Sequence, residues 1–237
     1  MNIVVLNRSD WIDERKVRLV DRRADHIRSV LRAAVGDSIR VGELNGDLGQ
    51  GRICALDADA VVLEVDLNQP PPPRHRFDIV LALPRPKVLR RLFRTVAEYG
   101  VANLHLINCA RVEKSYWQSP LLAPDKVHDA LLAGMERASD TVAPRVHLHR
   151  RFRPFVEDQL SNVINNSRAI VAHPSAPQAC PIAIQEPTTL IVGPEGGFIP
   201  YEIEKLVELG VKPVTIGSRI LRVETAVPAL ISRLFPA

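Results

Sequence analysis

Two short stretches near the C-terminus combine glycines with charged side chains in a way that could bind a small polar ligand. The first reads Gly193-Pro-Glu-Gly-Gly-Phe198 and the second Ile216-Gly-Ser-Arg-Ile-Leu-Arg-Val-Glu-Thr-Ala226. Five of the twelve glycines lie between Gly193 and Gly217, and glycine lets a backbone approach a ligand closely. One such stretch would be an ordinary strand-to-helix turn, but two in tandem favour a binding site.

The elements around these stretches must hold them at one edge of a sheet. Apolar runs typical of buried strands alternate with amphipathic segments, which predicts a mostly parallel sheet. The predicted strands are Phe77–Leu83, Val101–Ile107, Ala169–Ala172, Leu190–Val192 and Val211–Ile216. The predicted helices are Val88–Tyr99, Asp125–Ala138, Pro154–Leu160, Pro200–Leu209 and Glu224–Phe235. Ligands bind such sheets beyond the carboxyl ends of the strands, where both glycine stretches begin.

The four consecutive prolines within Asn68–Arg74 divide the chain, because they can continue neither a helix nor a central strand. Before them, short alternating runs predict strands and a small barrel, with Asn45-Gly46 as a hairpin turn. These predicted strands are Asp37–Leu44, Gly51–Leu56 and Ala60–Leu67. Gly46, Gly49 and Gly51 are interpreted as a loop between strands and not as a dinucleotide-binding fingerprint.

One short helix is predicted in the N-terminal part, over Asp25–Arg32. Asp25 would be its N-cap, and Ile27, Val30 and Leu31 would form its apolar face.

Basic residues are clustered, which indicates a polyanionic partner. Seven Lys and Arg side chains lie between Arg74 and Arg94 against one acid, Asp78, and a second cluster lies between Arg145 and Arg153. A single cluster would be an ordinary solvated face. Several clusters favour nucleic acid, and RNA over DNA, because no helix-turn-helix or zinc-finger spacing is present.

Other classes of protein are disfavoured by the sequence. The N-terminus lacks the pattern of a signal peptide and no run is long enough to span a membrane, so we expect a cytoplasmic protein that does not bind membranes. The scattered cysteines Cys54, Cys109 and Cys180 predict reduced thiols. His147 and His149 would share a face of a strand, but they lack a third metal ligand. The usual nicotinamide, nucleotide-triphosphate and serine-hydrolase motifs are absent.

Several of these segments resemble a known family. Gly193–Phe198 and Ile216–Ala226 are similar to the cofactor loops of the ribosomal RNA small subunit methyltransferase E family, within the SPOUT superfamily of RNA methyltransferases. Ala82-Leu-Pro-Arg-Pro-Lys87 fits the same pattern, and the segment from Asp25 to Asp37 looks like that family's N-terminal PUA-like domain. The resemblance covers nearly the whole chain.

The resemblance implies an α/β protein with two domains and a bound S-adenosylmethionine. Residues 1–69 would form a small PUA-like β-barrel that binds RNA, and residues 74–237 a SPOUT-type trefoil-knotted parallel-sheet domain that pairs as a homodimer. The implied cofactor-binding residues are His173, Gly193, Pro194, Glu195, Gly196, Gly197, Ile216, Gly217, Ile220, Leu221 and Val223. The implied RNA-binding residues are His26, Arg28, Arg32, Arg85 and Lys87. No metal and no DNA are expected.

The implied reaction is methylation at N3 of a uridine in 16S ribosomal RNA, either free or within the assembled small subunit. Because N3 keeps its proton at neutral pH, the enzyme must remove that proton or stabilise the uridine anion. We expect Arg222 and Glu224 to be catalytic, with Arg222 stabilising the developing anion. An ion pair between Arg222 and Glu224 is the structural alternative. His26, Glu195 and Glu224 are candidate bases, and Glu195 could instead cap its loop.

Two positions depart from the family pattern. Val223 stands where many relatives have threonine, which removes one hydroxyl from the pocket. Glu136-Arg137 replaces a Glu-Gln pair, which we expect to alter the RNA-facing surface.

Two alternative functions stay open at this point. The chain could be a SPOUT methyltransferase acting on tRNA or on large-subunit ribosomal RNA, or a non-catalytic RNA-binding factor in ribosome assembly. The intact Gly196, Gly197, Arg222 and Glu224 argue against loss of catalysis, and cofactor binding would separate the two classes.

Overall fold

The computed structural model describes residues 1–236, which form two compact units. The first unit comprises residues 1–73 and 132–143, and the second comprises residues 74–131 and the chain from 144 onward. No helix within residues 1–236 is long and apolar enough to cross a lipid bilayer.

The first unit is built on a five-stranded sheet. Its strands, in sequence order, are β1 (Val4–Leu6), β2 (Lys16–Leu19), β3 (Ser38–Glu43), β4 (Leu48–Leu56) and β5 (Val61–Gln69). They are arranged β1-β3-β4-β5-β2, with β1 parallel to β3 and every other pair antiparallel. The core packs Leu6, Leu19, Ile53 and Leu63 together, all of them buried. The PUA-like identity of this unit stays a prediction.

The predicted hairpin is confirmed, but the loop assigned to the neighbouring glycines is wrong. β3 and β4 pair antiparallel around a turn in which Asn45 has a φ of 61°. Gly49 and Gly51 lie inside β4 and not in a loop. At Gly49 a Cβ atom would meet the Asp66 carbonyl on β5, so the close pairing of these strands requires glycine there.

The predicted helix in this unit begins earlier than the sequence pattern indicates. Helix α1 spans Arg22–His26, and its N-cap is Asp21, whose side chain accepts a hydrogen bond from the Arg23 amide. Asp25 is therefore not the N-cap. A π-helical turn follows over Ile27–Leu31, in which Ile27 is buried. Val30 and Leu31 are exposed, because the wider turn moves them off the face that Ile27 occupies.

The second unit contains a parallel sheet, as the alternating pattern predicts, but with six strands where five were predicted, since the strand Arg145–His149 was missed. The strands are β6 (Phe77–Ala82), β7 (Asn103–Ile107), β8 (Arg145–His149), β9 (Arg168–Ala172), β10 (Thr188–Val192) and β11 (Lys212–Val214). Their order is β11-β9-β10-β6-β7-β8, and every neighbouring pair is parallel. β10 therefore lies between β9 and β6. The trefoil knot stays a prediction.

Five of the helices agree with the predicted ones to within a few residues, and the helix Leu160–Val163 was not predicted. In chain order the helices are α2 (Pro86–Glu98), α3 (Pro124–Ala138), α4 (Phe152–Asp158), α5 (Leu160–Val163), α6 (Pro200–Glu208) and α7 (Val223–Leu234). In α2 the apolar positions Leu89, Leu92 and Phe93 are buried, while Arg90 and Arg91 are exposed. Helix α2 thus presents a basic face to solvent.

Candidate cofactor and substrate site

Three strand ends lie side by side at the carboxyl edge of the parallel sheet. In the register of the sheet, Ala172 at the end of β9 pairs with Val192 at the end of β10 and with Val214 at the end of β11. The loops that leave these strands therefore start from one place. These loops carry the cofactor-binding residues that the family resemblance implies, His173 among them.

The three loops enclose a cavity of ≈ 380 Å³, within the range of about 300–1,000 Å³ that is usual for small-molecule sites. The predicted cofactor-binding residues that line it are His173, Gly193, Pro194, Glu195, Gly196, Gly197, Ile216, Ile220, Leu221 and Val223. Gly217 is not part of the wall. It lies in the bend after β11, where its amide donates to the Thr215 hydroxyl.

The cavity combines apolar walls with unpaired backbone groups. Phe198, Leu221 and Leu230 contribute apolar surface. Within the part of the chain that the structure describes, the backbone amides of the lining residues Arg219, Ile220 and Leu221 have no hydrogen-bond partner. A planar heterocycle with polar atoms on its edge would satisfy both features, since its faces are apolar and its edge can accept hydrogen bonds.

The loop Gly193–Gly197 is held in a tight turn. The Gly197 amide donates to the Pro194 carbonyl over 2.8 Å. On one side the Glu195 carboxylate accepts hydrogen bonds from the backbone amide and Nε of Arg85, at 3.1 and 3.2 Å. Glu195 thus ties its loop to the start of α2.

A second cavity of ≈ 250 Å³ shares part of its wall with the first. Its lining residues are Arg85, Glu195, Ile220, Leu221, Arg222 and Glu224. Both predicted catalytic residues, Arg222 and Glu224, therefore face the same space. Among residues 1–236, Arg222 has no ion-pair partner, so the structural pairing with Glu224 is wrong. The Arg222 guanidinium remains available to a ligand.

The predicted RNA-binding residues occupy two units and differ in how free their charges are. Arg85 and Lys87, in the second unit, are exposed at the start of α2. In the first unit Arg32 is exposed, whereas Arg28 donates to the Asp25 carboxylate and to the Asp57 carbonyl. His26 is half-buried, and its pKa is lowered by burial and by the positive charge of the N-terminus.

Of the pair Glu136-Arg137, Glu136 is buried and Arg137 is exposed, so the expected change to the RNA-facing surface stays a prediction for Arg137. Glu136 is buried, and both its carboxylate oxygens bind the Arg22 guanidinium, at 2.7 and 3.0 Å. Its carbonyl accepts hydrogen bonds from the amides of Asn2 and Ile3. Glu136 therefore anchors the N-terminal strand of the first unit.

Sequence analysis did not identify two residues beside the cofactor cavity, Arg111 and Glu202. Arg111 lines the cavity and donates from Nη1 to the Gly196 carbonyl over 2.5 Å. Glu202, at the start of α6, accepts a hydrogen bond from the Ala110 amide. Neither residue belongs to a glycine stretch, and only the fold brings the end of β7 to the loop after β10.

Sequence analysis identified the pair His147 and His149 but missed His105, which completes a cluster of three histidines. His105 on β7 stacks on His147 of β8, with ring centroids 4.5 Å apart, and its Nδ1 lies 3.1 Å from Nε2 of His149. Burial and the neighbouring His147 and His149 lower the pKa of His105 to about 3. Over the described residues, no group of three or more His, Cys, Asp or Glu could hold a metal ion.

The site lies within a region that matches a known protein family. The sequence profile of the RNA methyltransferase domain family matches residues 70–235. The chain belongs to this family. The family predicted from the glycine stretches is therefore confirmed.

Individual relatives extend the match to nearly the full chain. Ribosomal RNA small subunit methyltransferase E of Treponema pallidum is 28% identical over 232 residues, covering 95% of this chain and 87% of the relative. Ribosomal RNA small subunit methyltransferase E 1 of Borreliella burgdorferi is 21% identical, covering 95% and 94%. Both relatives therefore match this chain across both of its units.

A solved structure confirms the mixed α/β fold with a parallel sheet. A ribosomal RNA small subunit methyltransferase E from Neisseria gonorrhoeae, crystallised with S-adenosyl methionine, superposes with a TM-score of 0.75. The two chains are 20% identical, and the match covers 98% of this chain and 95% of the other.

Proposed function

We propose that this protein is an S-adenosylmethionine-dependent methyltransferase that methylates N3 of a uridine in 16S ribosomal RNA. The observation that carries the proposal is the pair of cavities at the carboxyl edge of the sheet. One is enclosed by three loops, and the other, which shares Glu195, Ile220 and Leu221 with it, contains Arg222 and Glu224. Relatives named for small-subunit ribosomal RNA methylation support this assignment.

The first cavity suits S-adenosylmethionine. The unpaired amides of residues 219–221 would bind the polar edge of adenine, and Leu221 and Leu230 would contact its faces. The backbone of Gly193–Gly197 would enclose the rest of the cofactor. When bound there, the cofactor would supply an electrophilic methyl group on its sulfonium.

The second cavity would receive the target uridine. Arg222 would stabilise negative charge on the uracil ring as the N3 proton leaves, since it has no competing partner within residues 1–236. Glu224, in the first turn of α7, would accept that proton. Glu195 is the less suitable base, because Arg85 already binds its Oε1 atom. N3 loses a proton and gains the methyl group, so the uracil ends neutral.

Basic side chains of both units would bind the RNA. Arg85 and Lys87 lie at the start of α2, and His26, Arg28 and Arg32 would contribute from the first unit, which we propose to be a PUA-like RNA-binding domain. We further propose a cytoplasmic homodimer of trefoil-knotted domains that acts on 16S ribosomal RNA, free or in the assembled small subunit.

Transfer of a labelled methyl group to ribosomal RNA tests this function. The purified protein would be incubated with labelled S-adenosylmethionine and unmodified small subunits, free 16S RNA, large subunits or tRNA. Nucleosides would then be separated by chromatography and identified by mass spectrometry. We expect N3-methyluridine from the small-subunit RNA. Label at uracil C5, or in tRNA alone, would refute the proposed target, and absence of any transfer would refute the enzymatic function.

A further inference from the structure

A buried carboxylate joins two loops at the carboxyl edge of the parallel sheet. Glu202 is 2% exposed. Its Oε1 accepts a hydrogen bond from the Ala110 amide over 2.8 Å, and its Oε2 accepts one from the Ile199 amide over 3.0 Å. Among the described residues Glu202 has no ion pair, so these amides and the N-terminal dipole of α6 stabilise its charge. A buried charge without such partners would be costly, so the two hydrogen bonds of Glu202 hold the loop after β7 against α6.

The residue after Ala110 lies across the cofactor loop. The Arg111 guanidinium donates to the Gly196 carbonyl, and its aliphatic stem covers the same residue. A Cβ atom on Gly196 would lie 3.1 Å from Cδ and 3.3 Å from Cβ of Arg111. Glycine at this position therefore makes room for Arg111, as well as for a ligand.

The two contacts on this loop differ in how firmly they are anchored. Arg85 binds Glu195 as a surface pair, with side chains 59% and 26% exposed, and exposed pairs of this kind contribute little to stability. Arg111 is exposed as well, but the backbone of its loop is tied through Ala110 to the buried Glu202. Arg111 is therefore the better anchored of the two side chains that hold Gly193–Gly197.

We propose that Arg111 is a positioning residue that holds the Gly193–Gly197 loop in its ligand-binding shape, and that Glu202 holds Arg111 in place. This inference rests on the proposed function for the identity of the ligand, S-adenosylmethionine. A loop that is already ordered loses less conformational entropy when the ligand binds. Loss of Arg111 should therefore weaken cofactor binding and raise KM for the cofactor, with kcat at saturation largely retained.

The test compares Arg111→Ala, Arg111→Lys and Glu202→Gln with Arg153→Ala, a control that removes an exposed arginine paired with Glu157 on α4. Hydrogen–deuterium exchange would be measured on the cofactor-free proteins, and S-adenosylmethionine affinity by calorimetry. For Arg111→Ala we expect faster exchange in the peptide containing Gly193–Gly197 and an affinity about tenfold lower, with the Tm within about 2 °C of wild type. Lysine should rescue part of both effects, and Arg153→Ala should change neither.

Glu202→Gln adds a second readout, because the neutral amide can accept from only one of the two backbone amides. We expect faster exchange at both Ala110–Arg111 and Gly193–Gly197. Wild-type exchange and affinity in Arg111→Ala would overturn the inference. If the wild-type protein itself binds no S-adenosylmethionine, the proposed function fails, and the exchange of the cofactor-free loop still decides the role of Arg111.

A double-mutant cycle provides an independent check. Gly196→Ala should weaken cofactor binding in the wild-type background, because the new methyl group displaces Arg111. In the Arg111→Ala background it should weaken binding less, which would appear as a coupling between the two positions. Strictly additive effects would contradict direct packing of Arg111 on Gly196.

Discussion

Arg23 in the first unit and Arg222 in the second both lie close to acidic residues in the sequence, yet their surroundings differ. Arg23 is 4% exposed, and its guanidinium binds the carboxylates of Asp10 and Asp21 and the Val5 carbonyl. Arg222 is exposed and, within residues 1–236, unpaired. Charges of the first kind stabilise the fold, and charges of the second kind remain available to a substrate. The partners of an arginine within the fold, and not its residue type, therefore determine whether it stabilises the fold or stays available to a ligand.

The largest expected effect is on stability, from Arg23→Met. This change leaves the Asp10 carboxylate, only 10% exposed, without its cation, and breaking a buried pair costs about 3–5 kcal/mol. Wild type and Arg23→Met would both carry Trp117→Phe, so that the fluorescence of Trp11, which lies in the first unit, reports urea unfolding. The exposed Arg40→Ala serves as the control. A loss below about 1 kcal/mol for Arg23→Met would remove the contrast between the two arginines.

The next effect is on catalysis, from Arg222→Ala. Removing a group that stabilises developing charge should lower kcat by about 10²–10³-fold, while S-adenosylmethionine affinity stays within about twofold because Arg222 does not line the cofactor cavity. Arg219→Ala is the matched variant, since Arg219 does line that cavity and should affect affinity more than turnover. Methylation by Arg222→Ala at the wild-type rate would show that Arg222 has no catalytic role.

His105 tests whether the second unit also contains buried ionisable groups that affect stability. Its pKa is about 3 in the folded protein, against the ordinary 6.5. The unfolded chain therefore binds the proton more readily between these values. The contribution of neutral His105 to the free energy of unfolding should be complete above pH 6.5. Below that pH, the free energy of unfolding should fall as the pH is lowered, by about 1.4 kcal/mol per pH unit at most.

The free energy of unfolding by urea would be measured between pH 7.5 and 5.5 from the fluorescence of Trp117, which lies in the second unit. His147 and His149 face His105, and Asp78 reaches His147 through Asn103. Burial raises the pKa of Asp78, which opposes the histidine effect at lower pH and sets the lower limit of the range. His105→Phe keeps the stacked ring and should flatten the slope. An unchanged slope would assign the pH dependence to other groups.

The smallest effect concerns RNA binding, and it compares an unpaired cation with a paired one. Lys87 is exposed and, over the described residues, has no ion pair, whereas Arg28 binds Asp25 and the Asp57 carbonyl. Lys87→Ala should lower the slope of log affinity against log salt by about 0.7–0.9, as for one lost phosphate contact. Arg28→Ala should lower it less. Equal slopes for both variants would mean that pairing within the fold does not limit contact with RNA.

Local patterns in the sequence determined a large part of the second unit. The helix at α2 follows from the spacing of Leu89, Leu92 and Phe93, and Gly193 marks the end of β10. β11 ends at Val214, two residues before the predicted end at Ile216. The sequence was less informative in the first unit, where β1 and β2 were not predicted and α1 begins at Arg22. Those strands are short, and their pairing depends on residues far away in the chain.

The sequence by itself determined the α/β alternation, the two glycine loops and the residues Arg222 and Glu224 that accompany them, because each is encoded by neighbours in the chain. Only the tertiary structure decided which charges stay free. Pairing between distant segments buries Glu136 against Arg22, brings Arg111 onto Gly196 and stacks His105 on β8. These contacts depend on strand order and register, which spacing along the chain does not specify.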